Sequence, residues 1–234
     1  MCIRDSTNYC ELRGIITGTE SKIPKWQRQH GIKESNVYTY RTMDDIANND
    51  DIDVIYVVTP TGTHKDFAVK AANTGKHVWC EKPMAMDSEE CQAIIDACNK
   101  NNVTLSIGYR MQHEPNTRTF HQYIDTKPYG EITAVSSFAG YSGQGRSPDN
   151  WRMQKHMGGG ALYDMGVYAI NGARFLTGRE QVAVTGSHPP QRFPDKFTEV
   201  DELSLIHISE PTRRYAIAYA VIGVKKKRGG GGGG

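Results

Sequence analysis

Between Glu11 and Ile107 short apolar stretches alternate with amphipathic ones, an order that leaves few options besides parallel βαβ units. Residues 12–16 read as a strand that leads through Thr17-Gly18 into a polar helix near residues 22–30. A short strand at Val37-Tyr38 and a short helix at residues 43–48 follow. Residues 54–58 read as a buried strand, Thr59-Pro60-Thr61 as its exit loop, residues 65–73 as a helix and residues 77–80 as the next strand. The pattern then predicts a helix over residues 88–99, capped by the Ser88 hydroxyl, and a strand over residues 103–107. Past Ile107 the elements lengthen: a helix at residues 117–124, a strand at 131–138, a glycine-rich loop, a helix near 162–176 and a strand-like stretch at 182–185. This second half reads as α+β, with the boundary near Arg110.

A chain of 234 residues with 38% hydrophobic and 23% charged residues is long enough to bury a core. The formal net charge of +2 comes partly from Lys225-Lys226-Lys227-Arg228 beside the terminal glycines, which argues against a polynucleotide partner. Cys2, Cys10, Cys80, Cys91 and Cys98 show no CxxC spacing and no histidine at metal-ligand spacing, so they read as reduced thiols and no metal site is expected. No apolar run is long enough to cross a bilayer and no signal peptide is visible. That leaves the compartment unknown, with the cytoplasm as default. Residues 1–10 and 203–234 read as non-native. Residues 1–6 and the run from Leu203 through Arg213 resemble translated sequencing-adapter read-through, and residues 229–234 form a glycine homopolymer. A flexible basic and glycine-rich linker is the alternative that composition allows.

Glu81-Lys82-Pro83 closes the second strand of the better-defined βαβ unit. In an open parallel sheet the carboxyl ends of the strands border the ligand crevice, so a lysine there aims its ammonium at whatever binds. Proline fixes φ and lacks an N–H, which ends the strand. Alone, such a lysine reads far more readily as a solvated surface charge. A dinucleotide-binding half also calls for a GxGxxG turn after its first strand, and the chain has none near its start.

Several spaced motifs together resemble the Gfo/Idh/MocA oxidoreductases: Thr59-Pro60, His64, Gly75-Lys76-His77-Val78, Glu81-Lys82-Pro83-Met84-Ala85, and Gly158-Gly159-Gly160 with Asp164, Gly166 and Tyr168. Ile107-Gly108-Tyr109-Arg110, Trp151-Arg152 and residues 164–171 look most like the glucose–fructose oxidoreductase branch. The resemblance runs from about Glu11 to Asp201. It implies an α/β chain in two parts. Residues 11–109 would be a Rossmann-type parallel-sheet domain lacking its first strand and glycine loop, and residues 110–202 a truncated C-terminal α/β domain with an open, mostly antiparallel sheet. The chain then reads as an internal fragment of a longer enzyme. Homo-oligomers through the C-terminal sheet are implied for the complete protein.

The same resemblance implies NAD(P)-dependent oxidation of a CH–OH group in a sugar or related polyol, with Lys82, Tyr168 and Asp164 catalytic. Free tyrosine titrates near ~10, and a neighbouring ammonium favours its phenolate. Asp164, four residues before Tyr168, shares its helix face and could accept a substrate hydroxyl. Periodicity alone allows blander roles: a helix N-terminal carboxylate for Asp164 and a core aromatic for Tyr168. Thr59, Pro60, Thr61 and His64 would line the cofactor crevice, with Glu81 near the nicotinamide-side ribose. Trp151-Arg152 resembles a segment that covers the cofactor, and Arg110 could meet substrate or cofactor phosphate. The strand ending in Thr17-Gly18-Thr19, followed by Lys22 and Lys25, suits a 2′-phosphate better than a free ribose hydroxyl, so NADP is expected over NAD. Within the same family the substrate could instead be an inositol, an anhydro-sugar or a trans-dihydrodiol. A non-catalytic cofactor-binding sensor and an inactive fragment are readings from other classes.

Overall fold

The computed structural model describes residues 9–141, 147 and 149–208 in full, and 209 and 217–223 by their backbone. It divides into two units that do not follow the linear boundary expected near Arg110. The first runs to Val58 and takes in His64–Glu81 and Asp87–Ile107. The second gathers Thr59–Thr63 and Lys82–Met86 with the chain from Gly108 onward.

In the first unit, β1 (Ile15–Ile16) pairs in parallel with β2 (Val37–Tyr38). A separate parallel sheet has the order β3 (Val54–Val57), β4 (His77–Cys80), β5 (Leu105–Ile107). Among the described residues no strand joins the two sheets. The strand expected over residues 12–16 is therefore short: β1 has one hydrogen-bonded neighbour, and that ladder ends where Thr17 N–H donates to Tyr38 O. Alternation sends Ile55, Val57, Val78 and Cys80 to a buried face, with α2 (His64–Asn73) packed on β3 and β4 and against α3 (Ser88–Lys100). Ala68, Ala71 and Ala72 are each 0% exposed, so α2 lies close on the sheet. Burial pushes the Cys80 thiol up to about 12, which leaves it protonated and inert at neutral pH. Cys10, Cys80, Cys91 and Cys98 are all free thiols.

Two local expectations are corrected. The cap of α3 is Asp87, whose Oδ1 accepts from Glu90 N–H at 2.8 Å, and Ser88 is the first helical residue. A carboxylate both accepts the orphan N–H and opposes the positive end of the helix, so it outcompetes the hydroxyl beside it. The helix expected from residue 22 begins with a 3-10 turn at Glu20–Lys22, and α1 (Ile23–His30) follows with Pro24 in its first turn, where the missing N–H costs nothing.

The second unit holds α4 (Pro115–Thr126), β6 (Ala134–Ala139), α5 (Val167–Thr177), β7 (Ala183–Ser187), β8 (Leu203–Ser209) and β9 (Ile217–Gly223). Its sheet has the order β6-β9-β8-β7, with one parallel pairing and two antiparallel ones, as an open, mostly antiparallel sheet should. Residues 203–209 and 217–223, read above as part of a foreign tail, supply its two central strands. One face packs α5 around Ala161, Ala169 and Ile206, with Ala139, Met165 and Ile208 alongside. On the opposite face Phe138 and Leu205, aligned through the register of β9, stay 59% and 37% exposed.

Gly158-Gly159-Gly160 serves close packing. A side chain on Gly158, which sits at φ +76°, would meet Thr61, and a Cβ on Gly159 would lie 2.5 Å from Arg152 O. The triplet thus lets the Thr61–Thr63 turn and the Trp151–Met153 turn press against it.

Candidate active site

Lys82 follows β4 by two residues, its peptide bond to Pro83 is cis, and it belongs to the second unit. Its side chain is 10% exposed. The ammonium donates to Asp164 O, lies 3.4 Å from Asp164 Oδ1, and stands 4.6 Å from the centroid of the Tyr168 ring. A lysine held this way is no solvated surface charge.

Asp164 and Tyr168 come from one continuous helical path whose first turn, Leu162–Gly166, is π-helical before α5 takes over. Wide π turns re-aim side chains, and they recur at functional sites. The Asp164 side chain is only 7% exposed, and both oxygens of its carboxylate meet donors. Oδ2 accepts from the Tyr141 hydroxyl at 2.6 Å and from Arg152 Nε at 3.0 Å, while Oδ1 faces Lys82. Burial pushes the Asp164 carboxyl up, but the Tyr141 hydroxyl, the Lys82 ammonium and the Arg152 guanidinium together outweigh it and hold the group below its ordinary value. Two cations thus surround one carboxylate, and the sum of these three groups is one positive charge. Negative charge forming beside them, as on a tyrosine oxygen, is favoured.

Other expected site residues fall in different places. Arg152 sits in the 3-10 turn Trp151–Met153, capped by Asn150; its guanidinium stacks 4.2 Å from the Trp151 ring, and its Nε serves Asp164. Thr59 and Pro60 are half-buried, and both accept from the Thr63 hydroxyl, Thr59 through Oγ1 and Pro60 through its carbonyl. Thr61 and His64 are each 1% exposed. Thr61 fills the space that Gly158 leaves. Glu81 accepts from the Tyr56 hydroxyl, whose ring stacks on Trp79. Arg110 is exposed at the start of a 3-10 turn. Thr17 is buried, and its Oγ1 accepts from Thr19 N–H at 3.0 Å, so it shapes the turn after β1; Thr19 and Lys22 are exposed there. Tyr141 escaped the sequence reading because one tyrosine at the exit of a strand carries no motif.

A parallel-sheet unit of the dinucleotide-binding kind, joined to a mixed-sheet unit that gathers a strand-end lysine, an aspartate and a tyrosine, is the layout of a Rossmann-fold oxidoreductase chain. This chain belongs to the Gfo/Idh/MocA family: the profile described as "Oxidoreductase family, NAD-binding Rossmann fold" matches residues 2–109, and that of the "GFO/IDH/MocA C-terminal domain" matches residues 117–220. It is 30% identical over 220 residues to a D-xylose 1-dehydrogenase [NADP(+)] of Haloarcula marismortui, covering 92% of this chain and 60% of that one. A levoglucosan dehydrogenase of Pseudarthrobacter phenanthrenivorans is 34% identical over 155 residues, 63% of this chain and 39% of that one. Among solved structures, an aldose-aldose oxidoreductase from Caulobacter crescentus complexed with glycerol superposes with a TM-score of 0.86 at 35% identity, covering 91% of this chain and 63% of that one. The chain therefore spans less than two thirds of the length of these relatives. Among the described residues no helix is long and apolar enough to cross a membrane.

Proposed function

We propose that the protein is an NADP-dependent oxidoreductase that moves hydride between the cofactor and a sugar or related polyol, in the manner of the glucose–fructose oxidoreductase branch. The observation that carries this reading is the Lys82 ammonium, buried between Asp164 and the Tyr168 ring. Oxidising a secondary alcohol or hemiacetal takes a base for the hydroxyl proton and a hydride acceptor at near-attack distance. A bound nicotinamide cofactor supplies the acceptor. Tyr168, half-buried at the start of α5, takes the hydroxyl proton onto its phenolate oxygen. Lys82 stabilises that phenolate, and Asp164 holds Lys82.

The residues after β1 fit a 2′-phosphate. Thr17 closes the turn, Thr19 and Lys22 face outward, and the nearest carboxylate, Glu20, starts a 3-10 turn. Lys22→Glu is expected to weaken NADPH binding roughly tenfold or more and to leave NADH nearly unaffected, since each ~1.4 kcal/mol is a factor of ten. Titrating both cofactors by nucleotide fluorescence checks this. Equal affinities for NADPH and NADH in the unmodified protein would contradict the NADP assignment.

The names of the relatives above, a D-xylose dehydrogenase, a levoglucosan dehydrogenase and an aldose-aldose oxidoreductase, support the sugar class. The sheet face carrying Phe138 and Leu205 is the surface through which the complete protein would form homo-oligomers. NADPH formation with a panel of aldoses and inositols tests the class. Turnover with aldoses is expected, whereas tight NADPH binding with no turnover on any of them would point to a sensor instead.

A further inference from the structure

Tyr141 stands at the exit of β6, outside every motif that drew attention to this chain. Its hydroxyl nevertheless donates at 2.6 Å to a carboxylate oxygen that is itself almost fully buried. Among the described residues, the charged and titratable groups facing that carboxylate are Lys82 from the turn after β4, Arg152 from the Trp151–Met153 turn, and Tyr141; Tyr168 is reached through Lys82.

The geometry around Asp164 is asymmetric. Arg152 uses Nε alone and binds one oxygen, although a guanidinium prefers to grip both oxygens of a carboxylate with its fork. Tyr141 shares that same oxygen, and Oδ1 is left for Lys82. Without the tyrosine hydroxyl the Arg152 fork is free to draw the carboxylate round and take both oxygens, and Lys82 loses its contact with Asp164 Oδ1. We infer that Tyr141 is a positioning residue: its hydroxyl fixes the orientation of the Asp164 carboxylate, so that Asp164 holds the Lys82 ammonium over Tyr168. This rests on the reading of Lys82 and Tyr168 as the proton-transfer pair, but it makes a claim about Asp164 that can be read without turnover.

The test is a pH titration by carbon NMR of the chain carrying labelled aspartate carboxyls and labelled tyrosine Cζ atoms, with the Asp164 signal assigned through Asp164→Asn. In the unmodified chain Asp164 should titrate below the ordinary aspartate range, and the Tyr141 Cζ signal should step at the same pH. In Tyr141→Phe the Asp164 titration should move to higher pH, since a donor to the ionised form has gone. An unchanged Asp164 titration in that variant overturns the inference. So does a Tyr141 signal that ignores Asp164 in the unmodified chain, a readout that needs no variant to fold. If instead the oxidoreductase reading is at fault, both titrations behave as stated while no aldose is turned over.

Discussion

Tyr168→Phe is expected to lower kcat for the proposed NADP-linked aldose oxidation by about 10²–10⁴-fold, the range that a positioned acid–base group supplies, while KM changes little. The substitution removes one oxygen and leaves the ring, so Lys82 keeps its cation–π contact at 4.6 Å and the packing of α5 is undisturbed. What is lost is the oxygen proposed to accept the proton. Initial rates followed by NADPH absorbance, with thermal unfolding as a control for folding, give the answer. A variant that retains full kcat would remove Tyr168 from the chemistry and move attention to Lys82 itself.

The second large effect concerns stability. In Asp164→Asn the Lys82 ammonium and the Arg152 guanidinium lose a shared counter-charge in a site where the lysine side chain is only 10% exposed. Removing one member of a buried ion cluster strands the others, at a cost of about 3–5 kcal/mol when the site is fully enclosed. Arg152, with a third of its side chain exposed at 33%, keeps access to water, so the lower end, about 3 kcal/mol, is expected here. The pH dependence has a definite sign. Because the folded-state pKa of Asp164 is depressed, its stabilisation is complete above the unfolded-state value and is lost as pH falls through the folded-state value. The gap between the unmodified chain and Asp164→Asn should therefore be full at neutral pH and close in acid. Urea unfolding followed by Trp151 fluorescence, with Trp26 and Trp79 replaced by phenylalanine, reports on the second unit. An equal gap at pH 7 and pH 3 would mean that Asp164 contributes through packing rather than charge.

Much of this site can be read from the sequence. The alternation of residues 77–80 followed by Glu81-Lys82-Pro83 puts a lysine at the end of a parallel strand, and helical spacing sets Asp164 and Tyr168 on one face. Local pattern suffices there because each element is fixed by its own residues. Tyr141 and the Asp164 side of Arg152 are beyond it, since residues 141, 152 and 164 meet only through the fold of the second unit. Nor does linear order show that Thr59–Thr63 and Lys82–Met86 pack with residues after Gly108, an arrangement made possible by glycines at 62, 158 and 159 that let backbones touch. Sequence pattern points to Ser88 as the cap of α3, and only the backbone turn shows that Asp87 before it takes that place. Residues 203–209 show a different kind of gap. Their wording reads as foreign, but backbone pairing asks only for an extended, apolar-rich segment, and Leu203, Leu205, Ile206 and Ile208 provide one between β7 and β9.

The central claim is that the Lys82 charge makes Tyr168 a base, and the pH dependence of kcat in Lys82→Met measures it directly. Methionine fills a similar volume without the ammonium, so the acid limb, which reports Tyr168 in the bound complex, should move to higher pH and the rate at neutral pH should fall. An acid limb at the same pH as in the unmodified protein would contradict the claim.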